Sequence, residues 1–386
     1  MNYIDDIVAE LTVDYKDRSI LEVDSPELRF VDYFFSSITC NDKGIEKLLY
    51  EVIGSCLVKT AVLSRAFILK GSGRNSKSKI FRIVESLLKD KSNCSHEHLE
   101  DLSGSKAGSK STVKYLNHTT VNLAEDQKPI KYINNSLLSR LISGEPIVVE
   151  HKGELTSFIK PYATLLFSVN EVIDFKETGR NILDRFVVIP FNAVFTDENN
   201  NRDIHIESKL CNRKSLQIIA TRALQAFNEV LQRGKYTMPD AVIEETRRYF
   251  MECNNVAKFC TELPIIDLVT KNGYFKEYCK WCELNNFDPV SDSIFGKKVL
   301  AFGYRSERYL FGGKKNGNRN TYYVSSSLNS SDARAIYNEY IESIGISDET
   351  ANVYSESDLM KVFNAPSFSE FLCKRLNTKT DDVNNN

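Results

Sequence analysis

The stretch Gly71-Ser-Gly-Arg-Asn-Ser-Lys77-Ser78 has the residue types and spacing to hold a phosphate chain. It follows the unalternating apolar run Ala66 to Leu69 and precedes Ile80, Ile83, Val84, Leu87 and Leu88, apolar at helical spacing. The loop therefore joins a buried strand to the start of a helix, the context a phosphate-binding loop requires. Backbone N–H groups of such a loop converge on phosphate oxygens without reorganisation. Gly71, Gly73, Asn75, Ser76, Lys77 and Ser78 are the candidate ATP contacts. Lys77 would reach the β and γ phosphates, and the Ser78 hydroxyl would be a metal ligand for Mg²⁺. One position departs from the usual pattern, because Ser76 precedes the lysine where glycine is standard. A left-handed backbone there would cost a non-glycine residue about 1–2 kcal/mol.

Two further strand ends carry complementary groups. Thr120 to Ala124 reads as a buried strand ending in Glu125 and Asp126. Two carboxylates at the carboxyl end of a neighbouring strand can divide the work of holding Mg²⁺ and polarising an attacking water. The usual order is Asp then Glu and here it is reversed. Either Glu125 takes the metal and Asp126 acts as the base, or Glu125 does both. Thr164 to Val169 ends in Asn170, whose amide can orient the lytic water where ligands collect in open α/β sheets. Taken singly, the acidic pair also suits a turn or helix cap, and Asn170 a turn.

The remaining pattern places these groups in an α/β fold. Phe186 to Pro190 is a further buried strand, Ile133 to Ile142 a helix, and Ile147 to Glu150 with Leu155 to Ile159 a hairpin turning at Lys152-Gly153. Phe30, Tyr33, Phe34, Ile45, Leu48, Leu49, Val52, Ile53 and Leu57 put helices before the core, and helices resume from Ser215 to about Phe259. Pro264 and the polar turn at Asn272-Gly273 mark a change of domain. Residues 274–328 then read as helix, turn, helix and two short strands, a winged-helix order. The expected domains are an N-terminal helical collar (1–60), an α/β core (61–212), a helical connector (213–262), a winged-helix domain (263–328), and a C-terminal helical extension with a polar tail (329–386).

Composition bounds the class without identifying it. The chain has 386 residues and a net charge of −2, so any nucleic-acid surface must be regional. Lys297, Lys298, Arg305, Arg308, Lys314 and Lys315, interleaved with Phe302, Tyr304 and Tyr309, form such a region. His151 and Lys152 at the hairpin turn are a second candidate contact to DNA phosphates. Nine cysteines without a regular framework indicate free thiols in a reducing compartment, and the expected location is the cytoplasm, with no membrane span. Cys279 and Cys282 lack a second pair, and Tyr278, Trp281 and Cys282 suit a buried helix face. The run Ser95-His-Glu-His98 is likewise short of a full metal ligand set and is expected on a surface loop.

The ordered set Gly71–Ser78, Glu125-Asp126, Leu141-Ile-Ser-Gly-Glu-Pro-Ile147, Lys152, Asn170 and Asp184-Arg-Phe-Val-Val-Ile-Pro-Phe191 resembles the superfamily 3 helicases. The likeness is greatest to the helicase portion of phage and plasmid primase-helicases, related to the poxvirus primase-helicase, and covers roughly residues 25–328. It implies an AAA+-like P-loop NTPase core and a homo-oligomeric ring, hexameric in the family, that moves 3′ to 5′ on single-stranded or forked DNA with ATP and Mg²⁺. By position it makes Lys77 and Ser78 Walker A, Glu125 and Asp126 Walker B, Asn170 sensor 1 and Arg185 the arginine finger, with Arg180 a second candidate. It also implies a channel hairpin at His151 and Lys152, and work beside a separate primase or host replication proteins in the cytoplasm of the host of a phage or mobile element. No primer synthesis is expected from this polypeptide, since neither a zinc-finger cysteine set nor a primase-like acidic cluster precedes Gly71; a longer parent protein or a separate primase is the alternative source. The alternative reading is a DNA-binding replication initiator that uses ATP as an assembly switch, motivated by Ser76 and the reversed acidic pair. A third is an inactive regulatory homologue.

Overall fold

The computed structural model describes residues 3–61, 63–103, 113–125, 135–149, 157–170, 184–196, 203–252, 254–265, 268–285, 287–309, 320–325, 328, 330–346, 368, 370–372 and 374. The chain divides into two compact units, Met1–Cys253 and Asn254–Asn386. In the first, α1 (Pro26–Ile38) and α2 (Lys43–Cys56) lead to β1 (Ala66–Lys70), α3 (Lys77–Leu87), β2 (Cys94–Ser95), α4 (Leu99–Ser103) and β3 (Val121–Ala124). Then come α5 (Asn135–Ser143), the antiparallel pair β4 (Ile147–Val149) and β5 (Ser157–Ile159), and the strands β6 (Thr164–Val169) and β7 (Phe186–Pro190). The helices α6 (Ile206–Leu210), α7 (Arg213–Arg233) and α8 (Asp240–Glu252) complete the unit.

Five strands form a parallel sheet in the order β2-β3-β6-β1-β7. Its apolar runs alternate between two cores, as the period of two in a strand demands. Phe67 and Leu69 of β1, with Val187 and Ile189 of β7, enter a core shared with α1, α2, α3 and α7. Ala66, Ile68, Phe186 and Val188 enter the opposite core, shared with α4, α5 and Tyr249 of α8. Burial on both faces is why these strands are uniformly apolar rather than alternating. Helices α1 and α2 of the expected collar and α7 of the expected connector thus share one core with a face of the sheet, whereas Asn255–Glu262 of the connector belongs to the second unit.

Close packing and one buried ionic network hold this layer. A Cβ on Gly54 would lie 2.2 Å from the Ala223 carbonyl oxygen, so only glycine lets α2 approach α7 this closely. Glu51 of α2 is fully buried, yet it pairs with Arg233 at 2.6 Å and accepts from the Thr237 N–H at 2.8 Å and hydroxyl at 2.6 Å. A carboxylate so satisfied avoids the large penalty of an unpaired buried charge. Edge strand β7 is covered by α8, where the Val188 N–H donates to the Thr246 hydroxyl at 2.9 Å.

The second unit contains α9 (Asn255–Glu262), β8 (Leu268–Thr270), α10 (Lys271–Leu284), α11 (Asp292–Ala301), β9 (Arg305–Tyr309), β10 (Asn320–Val324) and α12 (Ser330–Ser343). Its three strands pair antiparallel in the order β8-β10-β9. The core is aromatic, with Phe259, Tyr274, Tyr278, Trp281, Phe295 and Tyr323 in mutual contact. Its polar tips find partners: Tyr274 donates to the Leu263 carbonyl at 2.7 Å, and Trp281 Nε1 to Glu262 at 2.6 Å. Tyr278, Trp281 and Cys282 are buried, as their spacing suggested. Asn272-Gly273, expected as a turn, instead lies in the first turn of α10, because Thr270 caps that helix by accepting from the Gly273 N–H at 3.1 Å. Among the described residues no helix is long and apolar enough to cross a membrane.

Candidate active site

The loop between β1 and α3 is strained and tightly laced. Positive φ occurs at Gly73 (96°), Arg74 (52°) and Ser76 (65°), so Ser76 does adopt the left-handed backbone that favours glycine. The Gly71 N–H donates to the Val169 carbonyl at 3.2 Å. On the other side the Phe191 N–H donates to Lys70 at 2.7 Å and the Phe195 N–H to the Arg74 carbonyl at 2.8 Å. Neighbouring strands β6 and β7 and the segment after β7 therefore clamp the loop. Asn75 is buried and donates to the Phe191 carbonyl at 3.2 Å. A Cβ on Gly71 would meet Asn75 Nδ2 at 1.9 Å and the Phe191 oxygen at 2.5 Å, which explains glycine there.

Lys77 is only 5% exposed. Its ammonium donates to the Gly71 carbonyl at 2.7 Å, to Asn75 Oδ1 at 2.9 Å and to Asn170 Oδ1 at 3.0 Å. Register explains the meeting with Asn170: Lys70 at the end of β1 pairs with Val169 at the end of β6, so both chains leave the sheet at one level. Ala124 of β3 pairs with Phe167 of β6, which brings Glu125 to the same edge. Lys77, Ser78, Glu125 and Asn170 all line one cleft of about 760 Å³, a size suited to a small-molecule ligand. A buried ammonium, a helix start and backbone N–H groups can hold an anion there, while an exposed hydroxyl and carboxylate can share a hard divalent cation. Lys79, next along α3, donates to Glu207 at 2.7 Å and holds that carboxyl below the usual range.

Among known proteins, one family model matches the part of the chain that contains these residues. The model of a family of unknown function, DUF5906, matches residues 69–185. That span runs from the end of β1 to the residue before β7 and so includes Lys77, Glu125, Asn170 and Arg185. No curated protein matches the chain. Among solved structures, the apo C-terminal region of NrS-1 (305–718) is 13% identical over 77% of this chain and 76% of that one, with a TM-score of 0.45. The A form of the same apo region gives 13% identity over 77% and 76%, with a TM-score of 0.44. Likeness at that level transfers no function.

Arg185 does not join the cleft. Ala66 pairs with Phe186, so Arg185 lies at the amino-terminal end of the strands, opposite the cleft and about five residues or roughly 16 Å of strand away. It is half-buried against α5, donating to the Ser139 carbonyl at 3.3 Å and to the Ser143 hydroxyl. Asp126, His151, Lys152, Arg180, Lys314 and Lys315 lie outside the described residues. Of the other basic candidates, Lys297 and Arg308 are exposed, whereas Lys298 donates to Asn254 at 3.3 Å. Arg305 is tied to its own unit, donating to the Leu328 carbonyl and pairing with Glu307 at 2.9 Å.

The cleft also contains residues that spacing alone did not mark. Phe30, Tyr33 and Phe34 of α1, with Phe195, Ile204 and Ile206, form an apolar wall facing the loop. Phe34 is buried, as a helical core position should be, but Tyr33 is 66% exposed and Ile204 76%. Large exposed apolar side chains beside a phosphate-type loop suit the flat face of a base. The only signal in the sequence was an aromatic cluster at helical spacing, which reads equally as core.

Proposed function

We propose that this chain is an ATP-hydrolysing DNA helicase motor of the superfamily 3 type, acting as a homo-oligomeric ring in replication of a phage, plasmid or mobile element. The observation that carries the reading is the meeting of Lys77 with Asn170 at one edge of a parallel sheet, above a clamped loop and beside Glu125. Structural ion pairs seldom bring a buried lysine, a strand-end amide and a carboxylate to the mouth of one cleft. In this reading residues 61–212 are an AAA+-like P-loop core, flanked by the collar and connector helices. Residues 263–328 are a winged helix, supported by the order β8, α10, α11, β9, β10 and the three-stranded antiparallel sheet.

The residues fit ATP and Mg²⁺. The ammonium of Lys77 would exchange its contacts with Gly71, Asn75 and Asn170 for phosphate oxygens, at little cost because its position is already set. The apolar wall at Tyr33 and Ile204 would hold the base. Ser78 and Glu125 would hold Mg²⁺, which when bound neutralises developing charge on the phosphates. Asn170, released from Lys77, would orient the lytic water, and Glu125, alone or with Asp126, would polarise it. Arg185 cannot reach its own cleft, so its role would be to complete the cleft of a neighbouring subunit, which makes turnover depend on assembly. His151, Lys152 and the exposed Lys297 and Arg308 would meet DNA phosphates without reading sequence.

A second reading is motivated by Ser76, a non-glycine residue held in the left-handed backbone directly before Lys77. In that reading the chain is an initiator switched by ATP with little turnover. Steady-state ATP hydrolysis with and without single-stranded DNA, for the full chain, Lys77→Ala and Arg185→Ala, separates the two. DNA-stimulated turnover abolished by both substitutions supports the motor. Oligomers that bind ATP and DNA yet hydrolyse no faster than Lys77→Ala would sink it.

A further inference from the structure

We propose that Glu85, Cys94 and His96 form a binding site for a divalent ion of the zinc class, distinct from the Mg²⁺ site expected at Ser78 and Glu125. Spacing along the chain suggested that the histidines near Ser95 lacked partners. The fold supplies them. Ser95 is buried in β2, an edge strand too short to be seen in the sequence, and β2 sets Cys94 and His96 beside Glu85 on α3. One ligand atom from each residue lies within 4.8 Å of the others, and among the described residues this is the one group of three or more such side chains.

His96 stands between the other two, in a long hydrogen-bond contact with the Cys94 thiol and an ion-pair contact with Glu85. His96 Nε2 is 3.7 Å from Cys94 Sγ and 3.7 Å from Glu85 Oε1. Zinc bond lengths of about 2.0–2.3 Å in a tetrahedron separate two ligands by about 3.3–3.6 Å. His96 and Glu85 are also each aimed by a neighbour. His96 Nδ1 lies 3.0 Å from the Leu123 carbonyl, which can only accept, so Nδ1 carries the proton and Nε2 turns its lone pair to Cys94 and Glu85. Arg82 donates to Glu85 Oε2 at 3.0 Å and leaves Oε1 facing His96. Buried Asn122 pins both sides of the histidine, accepting from the Ser95 hydroxyl at 2.8 Å and the Glu97 N–H at 2.9 Å and donating to the Glu97 carbonyl at 2.9 Å.

Ligand chemistry selects the ion. A thiolate, an imidazole and a carboxylate suit Zn²⁺, whereas Mg²⁺ and Ca²⁺ take oxygen alone. Three protein ligands would leave a fourth position open, and Glu85 and His96 share the lining of a cleft of about 460 Å³ with Ser78 and Glu125. The ion would tie the last turn of α3, the helix that begins at Lys77, to the edge of the sheet.

The test is optical titration of the full chain, purified under reducing conditions and stripped by chelator, with Co²⁺ as probe and Zn²⁺ as competitor. The expected result is one Co²⁺ per chain with a thiolate-to-cobalt charge-transfer band, displaced by Zn²⁺ and absent in Cys94→Ser. His96→Gln, at an exposed side chain, should weaken binding by more than the roughly 10- to 100-fold that loss of a supporting hydrogen bond costs. Lys77→Ala should bind Co²⁺ as the parent does, so a failure of the nucleotide reading leaves this result intact. No charge-transfer band in the parent chain would overturn the site. So would a band that survives in Cys94→Ser or is unchanged in His96→Gln.

Discussion

The cleft edge of the parallel sheet and the basic segment of the second unit were both marked by residue type and spacing, yet the fold treats them differently. At the cleft, residues from three separate segments converge: Lys77 is buried, Asn170 touches it, and Ser78 and Glu125 share its cavity. In the second unit the marked residues diverge. Arg305 is spent on Leu328 and Glu307, Lys298 reaches Asn254, and Lys297 and Arg308 face solvent. Chemistry on a phosphate needs groups held to a common point, whereas attraction to a nucleic-acid backbone needs only positive charge in reach of water.

The most severe test of that contrast is at neither region. Arg185→Ala, at the amino-terminal end of the strands, should lower ATP hydrolysis by about 10³ or more while leaving nucleotide binding intact. A rate within a few-fold of the parent would remove Arg185 from the site of any subunit.

Gly71→Ala should be next in size. Its new Cβ would press on Asn75 and on the Phe191 backbone, so we expect a loss of about 1–3 kcal/mol, read as a lower denaturation midpoint, together with weakened nucleotide binding. A variant of parent stability would mean that the loop is not clamped as described.

Tyr33→Ala should weaken ATP by about 1 kcal/mol, near fivefold, and leave inorganic triphosphate unaffected, as competition titration would reveal. Equal losses for both ligands would place Tyr33 away from the base.

The smallest effects belong to the basic segment. Arg308→Ala should weaken single-stranded DNA binding only slightly but reduce the steepness of its salt dependence by about one ion. Arg305→Ala should instead lower thermal stability and leave that salt slope unchanged. Reversal of the pair would show that exposure in the free chain misreports the DNA-facing side.

Much of the first unit was legible because its local signals agree. The apolar runs at Ala66, Thr164 and Phe186 are β1, β6 and β7, and Thr120 to Ala124 contains β3. What misled was context beyond the window. Asn272-Gly273 reads as a turn until Thr270 caps a helix across it. Tyr33 shares a helical aromatic cluster with buried Phe34, and only packing decides which ring faces the cleft. Strand β2 is two residues long, too short for periodicity to register.

The sequence by itself therefore determined the order of the longer strands of the first unit, β1, β3, β6 and β7, the position of the phosphate-type loop between β1 and α3, and the identity of Lys77, Glu125 and Asn170 as strand-end or loop groups. These follow from propensity and spacing within short windows. Only the tertiary structure decided that Lys77 meets Asn170, that Arg185 sits at the opposite end of the strands, and that Glu85 joins Cys94 and His96. Parallel pairing brings together residues far apart in the chain, and which strand lies beside which is set by the packing of both faces, a property no local stretch contains.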